Sequence, residues 1–506
     1  MLRLKRESFA SRIGFLLVSA GCAIGIGNVW RFPTVTGQYG GGVFVLFYLL
    51  FLVLMGAPVL TMELAVGRAG HGSAGTAYRA LEPKGSKWHL HGWACLIGCC
   101  VLMMYYTTVS GWMLAYFFRF VKGTFTGLAA DAVSGVYADL LADPFEQIVW
   151  MAITVLLGFF VCSRGLQNGI ERIGKWMMGA LFVLILVLAV HSFVLPGAGE
   201  GLAFYLKPDF SGITFKSVLV AMGQAFYSLS LGMGIMITYG SYTGKEVNLV
   251  RSTAMVCVFD TVVALLAGLA IFPSVAHFDP SLLGSSKGVA LMFIILPQVF
   301  ESMGSVGQVV SFAFFVMVDI AAITSVVSLI EVVTQFVIQK FHVHRKRAAL
   351  VVACVCFVVS IPIGISLGHV AILEESSPAL FGLDWLTFFD EVTNTVLMPV
   401  CALFSCIVVG WFITPKRAVA EIEAEGTHMA GWLKKVYAVM IRFVTPALIL
   451  IVEIGGLQSE IAAGNTAVIV FAYALVALCV VAYFAFFRNR DTGTNADEKL
   501  SGDYPV

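Results

Sequence analysis

Two glycine-rich segments hold the residue types best suited to bind small ions inside an apolar protein. They are Gly21–Asn28 (GCAIGIGN) and Ser228–Gly234 (SLSLGMG), and each interrupts a long apolar stretch. Glycine costs about 1 kcal/mol in a helix interior, so each stretch is prone to unwind at this point. An unwound helix offers free carbonyls where its first half ends, which suit Na⁺. It also offers free N–H groups where its second half begins, which suit a carboxylate.

The composition indicates the environment in which these segments work. The chain has 506 residues, of which 59% are hydrophobic and 12% charged, with a mean hydropathy of +0.91. Soluble proteins carry about 25% charged residues, so this chain has too little polar surface for a water-soluble body. Soluble enzymes, nucleic-acid binders and disordered scaffolds are therefore excluded, and the net charge of +1 indicates no polyanionic partner. The eleven cysteines, nearly all in apolar segments, are predicted to be small buried side chains and not a disulfide framework or a zinc site.

Apolar stretches near 20 residues recur along the whole chain, which predicts an all-α polytopic membrane protein in contact with the lipid bilayer. The twelve predicted spans are 11–36, 40–68, 91–121, 146–163, 170–195, 214–240, 248–273, 300–337, 347–370, 386–413, 433–457 and 465–487. With a cytoplasmic N-terminus, 24 of the 31 Lys and Arg residues fall on the inner side. This bias predicts two cytoplasmic termini. The sequence has no N-x-S/T acceptor and no large soluble domain, which favours a prokaryotic inner-membrane protein.

Five spans separate the two glycine-rich segments, so the segments run in opposite directions. Unwound backbone is tolerated at membrane depth only where it lines a cavity or is buried in protein. Paired breaks of this kind are typical of an inverted repeat with a binding site near the membrane midplane. The alternative is that the glycines serve only close helix packing.

Four motifs in the same order resemble the neurotransmitter:sodium symporter family. They are Gly25–Pro33 (GIGNVWRFP), Gly40–Phe44 (GGGVF), Gly223–Gly232 (GQAFYSLSLG) and Ala321–Ser325 (AAITS). The resemblance, closest to the bacterial amino-acid branch, implies the LeuT fold with a 5+5 inverted repeat, Na⁺ coupling and alternating access. It divides the chain into an N-terminal latch (1–10), a transport core (11–413), two further helices (414–487) and a cytoplasmic tail (488–506).

The resemblance also implies two sodium sites and a substrate site. The first sodium site would use Ala23, Asn28, Ser228 and Asp260; the second would use Gly21, Ile24, Ala321, Thr324 and Ser325. The substrate would contact Cys22, Ala23, Gly25, Ile26, Gly27, Leu102, Tyr106, Tyr227, Ser228, Ser230, Met233, Ser325 and Leu329.

The residue at position 25 bears on the substrate class. Monoamine transporters of the family carry an Asp there, whereas this chain has Gly25, so the substrate is expected to bring its own carboxylate. Met233 occupies a position where the family also has a large aromatic residue, and Met repacks readily around bulky groups. A neutral hydrophobic or aromatic α-amino acid is expected.

The family's chloride site is incomplete in this sequence. Tyr48, Gln224 and Ser228 match it, but Ala264 stands where a hydroxyl or an acid is expected. Asp260 can supply the missing negative charge beside the first sodium, so chloride-independent transport is expected. A carboxylate in the middle of a membrane span is costly to bury, so Asp260 is predicted to have a function.

The resemblance implies gates on both sides of the site. Arg31 and Asp390 would form the outer charge pair, and Arg6 with Phe9 would form the inner latch, although Gln339 replaces the acid expected to bind Arg6. Tyr106 and Tyr227 would form the outer lid, and Glu63 would accept hydrogen bonds from unwound backbone. Asp319 either pairs with a neighbour or carries a counter-transported proton, and the basic run 345–347 is interpreted only as an inner-face anchor.

A Na⁺:amino-acid symporter, monomeric or homodimeric, is the first functional hypothesis. The alternatives are a proton-coupled transporter of the same fold and a channel or sensor that binds its ligand without transport. The hydroxyls and amides of the sodium motifs do not titrate near neutral pH, which argues against proton coupling. An intramembrane enzyme is disfavoured because no histidine-rich metal cluster or activated nucleophile is present in the sequence.

Overall fold

The computed structural model describes residues 3–4, 7–83, 85–128, 130–284, 291–372, 380–424, 428–482, 484 and 504–505, and this part of the chain is almost entirely helical. In chain order the helices are α1 (Arg12–Ala23), α2 (Gly27–Gln38), α3 (Gly42–Gly70), α4 (Ala74–Leu81), α5 (His89–Val121), α6 (Ala130–Ala142), α7 (Pro144–Ser163), α8 (Leu166–Phe193), α9 (Ala198–Leu206), α10 (Phe215–Ser228), α11 (Ile235–Gly240), α12 (Leu249–Phe278), α13 (Leu291–Ser302), α14 (Ser305–Phe341), α15 (Arg345–Ile372), α16 (Trp385–Ile413), α17 (Pro415–Ile422), α18 (Gly431–Ala462) and α19 (Thr466–Ala482). Two antiparallel strands of two residues each, β1 (Arg3–Leu4) and β2 (Tyr504–Pro505), pair with one another.

The described helices follow the twelve predicted spans, and the predicted fold class is confirmed. Nine of them are long and apolar enough to cross a membrane, and the pair α1–α2, bent by 51°, forms a tenth span. The pair α10–α11 and the 17-residue α19 occupy the predicted sixth and twelfth spans. The shorter helices α4, α6, α9, α13 and α17 lie between spans and were not anticipated by hydropathy, because they are too short to give a membrane signal.

The first span breaks where the glycine-rich segment predicted it. Helix α1 ends at Ala23 because Ile24 adopts an extended conformation (φ −75°, ψ 90°), and the chain resumes as a π-helical turn at Gly27. The last four carbonyls of a helix lack an intrahelical partner, so the end of α1 presents oxygens to the break.

The second break covers residues 229–234, between α10 and α11. Ser230, Gly232 and Gly234 all have positive φ, at 52°, 81° and 73°. A Cβ atom on Gly232 would lie 2.6 Å from the carbonyl oxygen of Met398 in α16, so both the backbone angle and the close approach require glycine here.

Two groups of helices surround the breaks. Helices α5, α7, α14 and α15 pack on one another, while α1 packs against α8, α12 and α14. Helix α11 packs against α3 and α14, and α10 packs against α3 and α18. Because α1 and α11 both contact α14, the two breaks lie against the same part of the helix bundle.

Candidate functional site

The two breaks meet in the middle of the bundle. The Ser230 hydroxyl donates to the Cys22 carbonyl oxygen (3.3 Å), which joins the second break to the end of α1. The N–H of Ile26 donates to the Tyr106 hydroxyl (3.1 Å). A Cβ atom on Gly25 would lie 2.5 Å from Ser325 Oγ and 2.8 Å from Tyr106 Oη, so glycine leaves a small polar space beside the N-terminus of α2.

Glu63 holds the second break, as the sequence predicted. Its Oε1 atom accepts a hydrogen bond from the Gly232 N–H (2.8 Å), and the side chain is fully buried. An N–H group freed by unwinding therefore has a buried carboxyl acceptor, and leaving such a buried group unsatisfied would cost about 1–3 kcal/mol.

The residues predicted for the first sodium site lie together. The Asn28 amide nitrogen donates to Asp260 Oδ1 (2.7 Å), to the Asp260 carbonyl (3.1 Å) and to Ser228 Oγ (3.3 Å). The Asn28 amide oxygen is buried and has no hydrogen-bond partner among the described residues. A buried, unpartnered amide oxygen bonded through its own amide group to a carboxyl group is the type of oxygen donor that a hard cation needs, and Ala23, the remaining predicted ligand, is the last residue of α1.

Asp260 also occupies the region that the family motif assigns to an anion. Its Oδ2 atom accepts from Ser228 Oγ (2.6 Å) and from the Tyr48 hydroxyl (3.1 Å). Gln224 is buried nearby on α10, with no partner for either side-chain polar atom among the described residues, and Ala264 is fully buried. A carboxylate oxygen therefore already accepts the hydroxyl donors that would otherwise bind chloride.

The second predicted sodium site is partly assembled. Gly21 and Thr324 line one cavity of about 20 Å³ between α1, α8 and α14. The hydroxyls of Thr324 and Ser325 both donate to the Ala321 carbonyl, at 2.9 and 3.3 Å. Ile24 lies at the end of α1, outside the cavity wall. All the donors are oxygens, so this set also suits Na⁺ and not a soft metal.

Ten of the thirteen predicted substrate contacts line a second small cavity, of about 30 Å³, between the breaks. These ten are Cys22, Ala23, Gly25, Gly27, Leu102, Tyr106, Tyr227, Ser230, Ser325 and Leu329. Ile26 contributes its backbone N–H to the edge of the site, and the Ser228 side chain is directed at Asp260.

The placement of Met233 differs from the prediction. Met233 does not line the cavity. A Cβ atom added to Gly98 would be only 2.8 Å from the Met233 Sδ atom, which shows that the Met233 side chain packs against α5. The flanking glycines at 232 and 234 have positive φ, which turns the intervening side chain toward α5. Ile235 and Met398 line the cavity instead, and the family motifs gave no signal for either.

A larger cavity of about 470 Å³ lies on the predicted outer side. Tyr106 and Tyr227 line both this cavity and the small one, so they form the wall between them. Arg31 and Asp390 also line the outer cavity. However, the Arg31 guanidinium lies over the Tyr227 ring (4.4 Å to its centroid), and Asp390 accepts from Asn394 (2.6 Å). The two predicted gate residues therefore face one cavity without forming a direct ion pair.

The predicted inner latch is only partly covered by the described residues. Arg6 lies outside the described residues. The Gln339 side chain, in the place of the expected acid, accepts hydrogen bonds from the Ser73 N–H (3.0 Å) and the Thr76 hydroxyl (2.7 Å). The Gln339 side chain is therefore hydrogen-bonded to the backbone and a hydroxyl at the start of α4.

Among the described residues, an acidic residue of the N-terminal segment makes an ionic contact on this side. Glu7 forms an ion pair with Arg345 at the start of α15 and accepts from the Leu166 N–H (3.1 Å). Arg345 also pairs with the buried Glu331 (2.7 Å), which accepts from the Tyr242 hydroxyl (2.5 Å). This Glu7–Arg345–Glu331–Tyr242 network joins the N-terminal segment to four helices or their ends, and it corrects the interpretation of the run 345–347 as an anchor alone.

Aromatic packing and a second carboxyl group, that of Glu171, also bind the N-terminal segment to the helices. Phe9 packs against Phe15 and Tyr242, with ring centroids 5.4 and 5.9 Å apart. Glu171, the sixth residue of α8, accepts hydrogen bonds from the Ala10 N–H (2.7 Å) and the Ser11 hydroxyl (2.8 Å). The sequence signal for these contacts was the presence of charged residues at span ends, but it did not identify their partners.

Comparison with known proteins agrees with this geometry. The model of the "Sodium:neurotransmitter symporter family" matches residues 6–129 and 141–488. An uncharacterised sodium-dependent transporter of Bacillus subtilis, YhdH, is 36% identical over 452 residues, covering 88% of this chain and 97% of the relative. An uncharacterised sodium-dependent transporter of Haemophilus influenzae is 31% identical, with 90% and 98% of the two chains covered. The sodium- and chloride-dependent taurine transporter of the rat is 26% identical, with 88% and 77% covered.

A solved structure supports the same assignment. The crystal structure of MhsT in complex with L-phenylalanine superimposes with a TM-score of 0.80 at 35% identity, covering 89% of this chain and all of that chain. The predicted family and fold are thus confirmed, and the relatives are transporters and not enzymes. This multi-pass membrane protein belongs to the sodium:neurotransmitter symporter family, and it is a sodium-coupled transporter with the LeuT fold.

Proposed function

We propose that this transporter imports a neutral, hydrophobic or aromatic α-amino acid together with two Na⁺ ions and without chloride. The observation that carries the proposal is the buried, unpartnered amide oxygen of Asn28, whose amide nitrogen is bonded to the buried Asp260 carboxyl group. It supports a cation at the break, next to a space where Gly25 admits a carboxylate.

The substrate's two charged groups have complementary surroundings in this arrangement. The N–H groups at the start of α2 and the Tyr106 hydroxyl suit its carboxylate, because a helix N-terminus favours an anion. The free carbonyls at the end of α1, with Ser230, suit its ammonium group. The carboxylate would also complete the coordination of the first sodium ion, which makes substrate and Na⁺ binding mutually dependent.

The side chain of the substrate would lie against apolar residues. Leu102, Leu329, Ile235 and Met398 supply most of the apolar wall of the small cavity. The cavity must expand to hold a large side chain, and the flexible Met398 is suited to that repacking. MhsT is 35% identical to this chain, and its crystal structure contains L-phenylalanine. This similarity favours the same substrate class for this chain.

Chloride independence rests on Asp260. Its Oδ2 atom accepts hydrogen bonds from the Ser228 and Tyr48 hydroxyls, so these two donors of the family's chloride motif are already used. Ala264 adds no hydroxyl. The rat taurine transporter is described as chloride-dependent, so chloride independence would distinguish this chain from that distant relative.

Transport would proceed by alternating access around the two breaks. Na⁺ would favour the outward-open conformation. Substrate would then allow Tyr106 and Tyr227 to close over it. The Glu7–Arg345–Glu331–Tyr242 network would hold the inner side closed until the ions and substrate are bound.

Equilibrium binding to the purified protein tests the substrate class. Tritiated L-phenylalanine should bind in NaCl but not in KCl, and unlabelled leucine, tyrosine or tryptophan should compete. Competition by small polar amino acids alone would contradict a hydrophobic substrate. Na⁺-dependent binding without transport in vesicles would indicate a sensor, and Na⁺-independent, pH-dependent binding would favour the proton-coupled alternative.

A further inference from the structure

Behind the second break lies a cluster of soft metal ligands that the transport site does not use. His91 and Cys95 are four residues apart in the first turns of α5, so they lie on the same face of the helix. Cys401 faces them from α16. Their ligand atoms all lie within 4.8 Å of one another, and all three residues are buried. The fold brings together residues that lie some 300 positions apart in the sequence.

The distances between the ligand atoms are close to those in a tetrahedral metal site. His91 Nε2 and Cys95 Sγ are 3.5 Å apart. With Zn–N near 2.0–2.1 Å and Zn–S near 2.3 Å, neighbouring N and S ligands in a tetrahedron lie about 3.5 Å apart. Cys401 would have to approach by at most about 1.3 Å to complete the three-ligand set. Ser405 Oγ lies 2.8 Å from His91 Nε2 and accepts from the Tyr78 hydroxyl (2.8 Å), so a hydroxyl oxygen also lies beside the imidazole ligand atom.

Charge balance selects the class of ion. Two thiolates and a neutral imidazole carry a charge of −2, so a divalent cation makes the buried group neutral, which a low-dielectric interior requires. Nitrogen and sulfur donors favour zinc-like ions over Na⁺, Mg²⁺ or Ca²⁺. We propose that His91, Cys95 and Cys401 form a binding site for a thiophilic divalent cation such as Zn²⁺. On binding, two metal–sulfur bonds form, two S–H bonds break and two protons pass to the buffer, with no change in oxidation state.

The position of the site predicts its effect on transport. A Cβ atom on Gly234 would lie 3.6 Å from Cys95 Cβ, and one on Gly232 would lie 3.5 Å from Ala402 Cβ. The backbone of the second break thus contacts the immediate neighbourhood of the ligands on both α5 and α16. A metal ion that joins the two helices is expected to restrict rearrangement of this backbone and to slow uptake.

The test uses Cd²⁺ as the probe on the purified full-length protein in detergent, with a reductant that contains no thiol. Wild-type protein should bind one Cd²⁺ with the ultraviolet absorption of a cadmium–thiolate bond and release two protons. Cys95→Ser and Cys401→Ser should each weaken binding at least tenfold and reduce this absorption, and Zn²⁺ should compete. Cys356→Ser is the matched control, because Cys356 is an equally buried thiol on α15 outside the cluster, and it should bind Cd²⁺ like the wild type.

Folding of each variant is checked by its Na⁺-dependent thermal stabilisation. If a cysteine variant fails this check, His91→Gln provides the second test, because both thiols remain while one ligand is lost, and its Cd²⁺ affinity should fall at least tenfold. The proposal is wrong if folded wild-type protein binds no Cd²⁺. It is also wrong if the cluster variants bind Cd²⁺ as tightly as wild type and Cys356→Ser.

Discussion

Replacement of Asp260 by Asn removes the buried negative charge at the sodium site but keeps the size of the side chain and one carbonyl oxygen. Three side chains donate to this carboxylate: Asn28 to Oδ1, and Ser228 and Tyr48 to Oδ2. Removing one partner of a buried charge pair costs about 3–5 kcal/mol. At about 1.4 kcal/mol for each factor of ten, Na⁺ affinity should fall by about two to three and a half powers of ten in a chloride-free buffer.

Chloride should recover much of this loss in the variant. Without the charge on Oδ2, the hydroxyls of Tyr48 and Ser228 are available to an anion. The amide group of Gln224, which has no partner among the described residues, supplies a further donor on the same helix as Ser228. The double variant Asp260→Asn, Ala264→Ser adds a hydroxyl and should bind Na⁺ more tightly in chloride than the single variant does.

The assay is Na⁺-dependent binding of tritiated L-phenylalanine, measured over a Na⁺ titration in chloride and in gluconate. Wild type should give the same curve in both anions, whereas Asp260→Asn should shift to lower Na⁺ in chloride. Asp319→Asn is the matched control, since Asp319 is also a buried carboxylic acid in a span and should not create an anion effect. A variant curve that is identical in the two anions, or a wild type that needs chloride, would refute the role given to Asp260.

Three further substitutions test other parts of the site. Gly25→Ala should abolish Na⁺-dependent amino-acid binding, because its Cβ would fill the space beside α2; retained binding would contradict the carboxylate site. Glu63→Gln should reduce thermal stability by about 1–3 kcal/mol through its bond to Gly232, and an unchanged unfolding temperature would show that the bond is not important. Glu7→Arg should increase labelling of an inner-side cysteine probe and impair uptake, whereas Glu7→Asp, which keeps a carboxylate for Arg345, should change both much less; a Glu7→Arg variant that labels and transports like the wild type would exclude this pairing as the inner latch.

Much of the site could be predicted because it is built from local features. The glycines of residues 21–28 and 228–234 weaken the helix where they stand, so both breaks were found from the sequence. Asn28 and Asp260 are polar residues in apolar spans, and such residues are rare without a function. Their contact with each other, at 2.7 Å, followed from the family motif and not from spacing alone.

The features that were missed depend on contacts between distant segments. The side-chain direction of Met233 is set by two positive-φ neighbours and by the space at Gly98, which no motif encodes. The ion pair between Glu7 and Arg345 joins residues 338 positions apart. Charged residues near span ends are common, so the sequence did not distinguish this pair from solvated charges.

The metal-ligand cluster illustrates the same limit. His91 and Cys95 share a helical face, but a single pair of this kind is uninformative in a chain with eleven cysteines. Only the packing of α16 against α5 adds Cys401 and gives a three-ligand set.

The central claim, Na⁺-driven amino-acid import, is tested most directly by uptake of labelled L-phenylalanine into proteoliposomes. Internal and external Na⁺ and pH are set independently, and the membrane potential is held at zero. We expect accumulation above the external concentration only with an inward Na⁺ gradient, and the same accumulation when gluconate replaces chloride. Accumulation driven by a proton gradient without Na⁺, or equal uptake with and without a Na⁺ gradient, would contradict it.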